Sequence, residues 1–245
     1  MGACGVSALA PISDDWVMPT SASPLIGRAV VAPGVTAEVA ARVPVLECGE
    51  PLVTVPSDLT QLIVYDGLPL PARAEARLRL GVVERLRAAR AALPPGFDLV
   101  VLDGWRSPAF QSALREHYLS TQGEVGTEYV AAADDDDLRA GHTTGGAVDV
   151  TLSWMGEPLA IGTDYDAFTP WAHPAAFEQP GADERVRDLR RLLVAVMTGA
   201  GFAPYPVEWW HWSWGEQWWA AVTGSPQAVY DVVAPGADPL ADLSV

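Results

Sequence analysis

The 245-residue chain carries 15 basic against 31 acidic residues, a formal net charge of −16, and 49% of its residues are apolar. That length buries a full core as one domain, and without clustered basic residues the chain is a poor match for a phosphate backbone or an anionic membrane surface. Its two cysteines, Cys4 and Cys48, allow one disulfide but no secreted disulfide framework. Met1 to Pro11 lacks the basic region of a signal peptide, and no apolar stretch approaches membrane-spanning length, so cytoplasmic residence is the expectation.

Residues 1–58 are rich in Pro, Ala, Ser and Val with weak periodicity. They read as an irregular extension packed on the domain formed by residues 59–245. One or two short strands, such as Val43 to Leu46, are expected in it, with partial disorder in the first twenty residues. Leu62 to Tyr65, bounded by Asp66-Gly67, suits a buried strand and turn. From Ala72 to Leu93, Leu78, Val82, Val83, Leu86 and Ala89 recur at helical spacing with arginines on much of the remaining face, which predicts an amphipathic helix. Leu99 to Leu102, apolar on both faces, reads as a central strand. Ser107 then offers an N-cap and Pro108 a first helical residue, so a helix runs to about Leu119.

The four carboxylates Asp134 to Asp137 read as a solvated loop. Ala147 to Leu152 is a short strand. Residues 155–180, carrying Pro158, Pro170, Pro174 and Pro180, form a long loop of the kind that is usually functional or mobile. Asp183 to Met197 returns to helical periodicity and ends at Gly199 and Gly201. Val207 to Trp212 is the last core strand, and the tail from Thr223 has little pattern.

Two stretches carry chemistry. One is Ala140-Gly141-His142-Thr143-Thr144-Gly145-Gly146-Ala147-Val148-Asp149; the other is Glu208-Trp209-Trp210-His211. Together they hold two of the chain's four histidines and two carboxylates. A hydrolytic zinc centre needs three protein ligands and an open position for water, together with an unliganded base near a ligand. Cysteine position and count exclude thiolate ligands. Gly145 and Gly146 would let the backbone turn sharply between His142 and Asp149. His117 sits beside Glu116 in a predicted helix, and His173 lies in the long loop. Trp210, Trp212 and Trp214 read as walls and packing, because indole has no titratable proton near neutral pH.

The ordered set His142-x-x-Gly145-x-Ala147-x-Asp149 and Glu208-x-x-His211 resembles the D-alanyl-D-alanine carboxypeptidase and dipeptidase family of zinc peptidases (peptidase family M15), and within it the VanX-like dipeptidase branch. Asp103-Gly104-Trp105-Arg106-Ser107-Pro108, Gly162-Thr163-Asp164-Tyr165-Asp166 and the Trp210-His211-Trp212 surround extend the resemblance over about Tyr65 to Trp214. It implies an α+β fold, a single domain whose central, mostly antiparallel sheet is flanked by helices, with the zinc site in a cleft. It also implies a Zn2+ ion on His142, Asp149 and His211, with Glu208 as general base and Arg106 as donor to the tetrahedral oxyanion. Asp166 would hold the free ammonium group of a small dipeptide, D-alanyl-D-alanine by resemblance. The chain departs from the motif at Ala140, where the family usually has a serine that contacts the substrate's polar groups. Another small dipeptide or amide in specialised metabolism, or a carboxypeptidase, therefore stands as an alternative; a non-catalytic binding module is a third reading, against which the intact His142, Asp149, His211, Glu208 and Arg106 argue.

Overall fold

The computed structural model describes residues 9–62, 65, 70, 75–123 and 129–233. In chain order the elements used below are β1 (Ala10–Pro11), α1 (Ala37–Ala41), β2 (Leu52–Thr54), β3 (Thr60–Gln61), β4 (Arg77–Arg79), α2 (Leu80–Ala91), β5 (Phe97–Asp103), α3 (Pro108–Gln122) and α4 (Gly141–Thr144). They continue with β6 (Ala147–Trp154), β7 (Glu157–Ala160), α5 (Glu184–Gly199), β8 (Ala203–Pro204), β9 (His211–Ser213) and α6 (Gln217–Thr223).

β6 is the hub of one mixed sheet. One edge pairs antiparallel with β5 from Phe97↔Trp154 to Asp103↔Asp149. The other edge is shared, with β9 against Ala147–Asp149 and β7 against Ser153–Trp154, both antiparallel. β3 adds to β5 and β1 to β7, each in parallel, while β8 pairs with β9. Residues Ala147 to Ser153 are all buried, because a central strand covered on both faces has no solvent side on which to place alternating polar residues. A separate antiparallel ribbon joins β2 to β4.

Helix ends follow local chemistry. Ser107 Oγ accepts the Phe110 N–H, Pro108 opens α3, and Gly123 at φ 68° ends it. Asp183 caps α5 through the Arg185 N–H. That helix buries Val186, Leu189, Leu192, Leu193, Val196 and Met197 on one face, against a core that also holds Val82, Leu86, Leu99, Val148, Val150 and Leu152. Each such side chain contributes about 1.5–3 kcal/mol on burial.

Several expected boundaries shift. The helix expected from Ala72 begins at Leu80. Arg77–Arg79 are instead strand β4, an alternative that their helical spacing concealed, and residues 72–74 lie outside those described. The expected strand Leu62 to Tyr65 is displaced to Thr60–Gln61, with Ile63 and Val64 outside the described residues. Val43 to Leu46 makes only an isolated bridge, Val45 to Ala228. Residues 155–180 are not one irregular loop, since β7 and two short 3-10 turns lie within them. The last strand is shorter than Val207 to Trp212 and starts at His211. Ahead of the tail, Glu216 caps the unexpected helix α6 by accepting the Trp218 and Trp219 N–H groups. In the extension, Ala10–Pro11 pair with β7, and Leu9, Ala22 and Val55 enter the core. Cys48 is a free, exposed thiol, and Cys4 lies outside the described residues. Asp134 to Asp137 are exposed. Among the described residues no helix is long and apolar enough to cross a membrane.

Candidate metal centre

Three elements deliver three donor atoms to one point. Asp149 and His211 face each other in the β6/β9 register, so their side chains are direct cross-strand neighbours. His142 comes from α4, a single helical turn that ends at Gly145 in the left-handed region at φ 72° before the chain reverses into β6. A Cβ on Gly145 would lie 2.8 Å from Leu52 Cδ1, and one on Gly146 would lie 2.6 Å from the Trp214 carbonyl oxygen. Only glycine fits both places.

His142 Nε2 lies 3.2 Å from His211 Nδ1 and 3.4 Å from Asp149 Oδ1, and the His211 Nδ1–Asp149 Oδ1 separation is 3.1 Å. A tetrahedral zinc with bonds of about 2.0–2.1 Å has ligand–ligand edges of about 3.3–3.4 Å. The triangle therefore has the size of one face of such a site. Asp149 is 1% exposed, and its Oδ1 is a buried oxygen without a hydrogen-bond partner, which is costly unless a cation or donor occupies the gap. His142 Nδ1 lies 2.8 Å from the Gly104 carbonyl; donating there leaves the Nε2 lone pair for the cluster. Among the described residues this is the one His/Cys/Asp/Glu group whose donor atoms converge so closely. Burial works against the charge on Asp149, yet His142 and then His211 hold its carboxyl well below the usual range. Burial lowers the His211 pKa, which keeps that ring neutral and able to ligate.

Glu208 lies three residues before the start of β9, 5% exposed, with Oε2 3.7 Å from His211 Nδ1. Its place is fixed by its neighbour: the Trp209 N–H donates to the Ala172 carbonyl and the indole N–H to Thr163 Oγ1. Burial, then Asp149 and Asp166, push the Glu208 carboxyl well above its ordinary value. A cation on the three donors would pull it back down.

Arg106 is pinned on all sides, not spread on the acidic surface. Its Nε donates to Asp103 Oδ2 at 2.7 Å, Nη1 to Gln111 at 3.2 Å and Nη2 to the Tyr65 hydroxyl at 3.0 Å, with Asp149 Oδ2 3.5 Å away. Asp166, at φ 55°, accepts from the Tyr118 hydroxyl and, at 3.2 Å, from Tyr65. Tyr65 and Tyr165 hydroxyls are 2.9 Å apart, and Tyr165 donates to Asp149 Oδ2 at 2.7 Å. Burial pushes the Asp166 pKa up to about 7, against the pull of Tyr118 and Arg106.

All six residues singled out from the sequence thus line one cavity of about 110 Å³. His117 and His173 stand outside it; Trp210 lines it, while Trp212 packs in the core. Sequence reasoning missed Tyr65, Tyr118, Tyr165 and Gln111 as site residues. Tyr165 stood inside a quoted motif and Tyr65 at the end of an apolar run; a polar side chain in a buried stretch was the available signal. Arg190, 1% exposed, was also missed. It donates to the carbonyls of Ile161, His173 and Trp171, and so clamps the segment that carries Tyr165 and Asp166.

Residues 75–230 match the peptidase M15 family model, described as D-ala-D-ala dipeptidase. A D-alanyl-D-alanine dipeptidase of Synechocystis is 29% identical over 73% of this chain and 87% of its own length. One from Streptomyces coelicolor is 32% identical over 54% of this chain and 69% of its own. Among solved structures, the LD-carboxypeptidase LdcB overlaps 74% of this chain and 76% of its own at 19% identity and a TM-score of 0.37, a likeness too slight to carry any argument.

Proposed function

Because the chain belongs to the peptidase M15 family of D-Ala-D-Ala dipeptidases, we propose that it hydrolyses a small dipeptide, D-alanyl-D-alanine foremost, with a zinc ion held by His142, Asp149 and His211. The observation that carries this reading is the triangle of donor atoms 3.1–3.4 Å apart around the otherwise partnerless Asp149 Oδ1. Zinc bound there would supply a water acidic enough to act as nucleophile at neutral pH, and would polarise the scissile carbonyl.

The protein's own groups do the rest. Glu208 takes the proton of the attacking water as the new C–O bond forms, then passes it to the departing amine as the C–N bond breaks. Arg106 donates to the oxygen that gains negative charge, a contribution of about 3–4 kcal/mol in comparable sites. Its fixed contacts to Asp103, Gln111 and Tyr65 keep that donor from reorganising during the reaction. Asp166, as a carboxylate, pairs with the substrate ammonium, which selects a dipeptide over a polypeptide. Residues 1–58 serve as an extension packed on the catalytic domain 59–245. A second reading, another small dipeptide or amide, or a carboxypeptidase substrate, is favoured by one feature: the cavity wall at Ala140 offers a methyl group and no hydroxyl.

The test is metal analysis of purified protein followed by a dipeptide panel with and without chelator. One zinc per chain and chelator-sensitive hydrolysis of D-alanyl-D-alanine are expected, and His142→Ala or His211→Ala should abolish stoichiometric metal. Full zinc occupancy in both variants overturns the ligand set, and cleavage of other dipeptides alone overturns the D-alanyl-D-alanine assignment.

A further inference from the structure

A dipeptide has two charged ends, and the proposed function accounts for one. The cavity's remaining wall includes Ala37, Leu138, Ala140 and Trp218, apolar side chains of which Leu138 and Trp218 belong to a small hydrophobic cluster separate from the main core. An anionic end placed there meets two further carboxylates, Glu208 and Glu216, on the same cavity. It needs a cation, and the lining arginines are Arg106 and Arg139. Arg106 is committed to Asp103, Gln111 and Tyr65, and the proposed mechanism assigns its remaining N–H groups to the oxyanion.

Arg139 is held differently. Its backbone N–H donates to Gln217 Oε1 at 2.9 Å, and Gln217 Nε2 is itself tied to the Val43 and Asp137 carbonyls. The backbone is thereby anchored, while among the described residues the guanidinium's one hydrogen-bonded partner is Asp231, through Nε at 3.1 Å. The two side chains are 26% and 41% exposed, so water screens the pair and it exchanges readily. A guanidinium whose stem is fixed and whose ion partner is replaceable is suited to bidentate capture of an incoming carboxylate.

We propose that Arg139 reads the terminal carboxylate of the substrate, exchanging Asp231 for it. This rests on the dipeptidase reading and extends it to the carboxyl end. The contact is made equally in the bound and reacting states, so its loss raises KM and leaves kcat nearly unchanged.

The experiment compares D-alanyl-D-alanine with its C-terminal amide, in hydrolysis by the zinc-loaded protein and in calorimetric binding on a Glu208→Ala background. Wild type should favour the free acid about tenfold through KM and affinity, about 1.4 kcal/mol. Arg139→Met should bring that ratio close to one, and Arg139→Lys, which keeps the charge but loses the fork, should fall between. Hydrolysis with an unchanged acid-to-amide ratio in both variants overturns the role of Arg139 and leaves the dipeptidase reading intact. Acid-selective binding that depends on Arg139, without hydrolysis by wild type, overturns the dipeptidase reading and sustains carboxylate capture. Neither binding nor cleavage overturns both.

Discussion

Tyr165→Phe removes one oxygen and tests whether the hydroxyl network shapes the metal site. In the native protein that hydroxyl donates to Asp149 Oδ2 at 2.7 Å and touches the Tyr65 hydroxyl at 2.9 Å. The phenyl ring stays in place against Trp210, with ring centroids 5.4 Å apart, so the change is electrostatic and leaves no large cavity. Among the described residues Asp149 Oδ2 then keeps the 3.5 Å approach of Arg106 Nη2. A hydrogen bond to a buried charged group contributes about 1.5–3 kcal/mol, and loss of a partner behind a ligand weakens metal binding by about 10- to 100-fold. Zinc affinity measured against a competing chelator should fall by that factor. Denaturant unfolding of the metal-free protein should show a loss of about 1–2 kcal/mol at constant m-value, because Tyr65 retains Asp166 and Arg106 as partners. A zinc affinity and an unfolding midpoint both equal to wild type would show that Tyr165 neither orients Asp149 nor supports its charge.

Glu208→Ala should keep zinc and lose at least ~10² in kcat, the usual scale for a general base; near wild-type turnover with zinc bound assigns that work elsewhere. N-acetylation of the dipeptide should cost about 30- to 150-fold in kcat/KM, and Asp166→Asn should shrink that discrimination; equal cleavage of free and blocked dipeptides by wild type refutes the amine-end assignment. Asp166 also sets a pH dependence. Its pKa is raised from 3.8 to about 7, so between those values the native state holds a proton that the unfolded chain has lost. Stability of the metal-free protein should therefore fall as pH rises through that window, by at most about 1.4 kcal/mol per unit from this group. Asp166→Asn should remove that share of the slope, and identical pH–stability curves would contradict it.

The motif residues were legible because their spacing records a geometry that backbone rules enforce. Residues 142 and 149 flank a glycine pair that the structure shows to be sterically required, and a strand pairing then sets 211 opposite 149. Helices with strong end signals were equally legible: Ser107-Pro108 and Asp183 cap α3 and α5 where their chemistry says they should. Segments whose state depends on distant partners were not. Arg77–Arg79 fits a helical repeat, yet the strand wins because β2 supplies backbone partners and the Arg79 guanidinium binds the carbonyls of Thr144 and Glu50, contacts that no local window contains.

The tyrosines mark the deeper limit. Tyr65, Tyr118 and Tyr165 come from three separated parts of the chain, each looks like an ordinary core aromatic in its own segment, and each buries its ring accordingly. Only folding brings their hydroxyls to Asp149, Asp166 and Arg106. Those contacts join three ionisable side chains into one shared network, in which Arg106 is held next to Asp149 and burial raises the pKa of Asp166. Tyr65 touches Arg106, Asp166 and Tyr165, and Tyr165 in turn donates to Asp149, so two hydroxyl groups bridge Asp166 to Asp149. A buried hydroxyl can join such groups without adding a charge that burial would penalise, which is why the residues that connect them are tyrosines and why a local sequence window does not single them out.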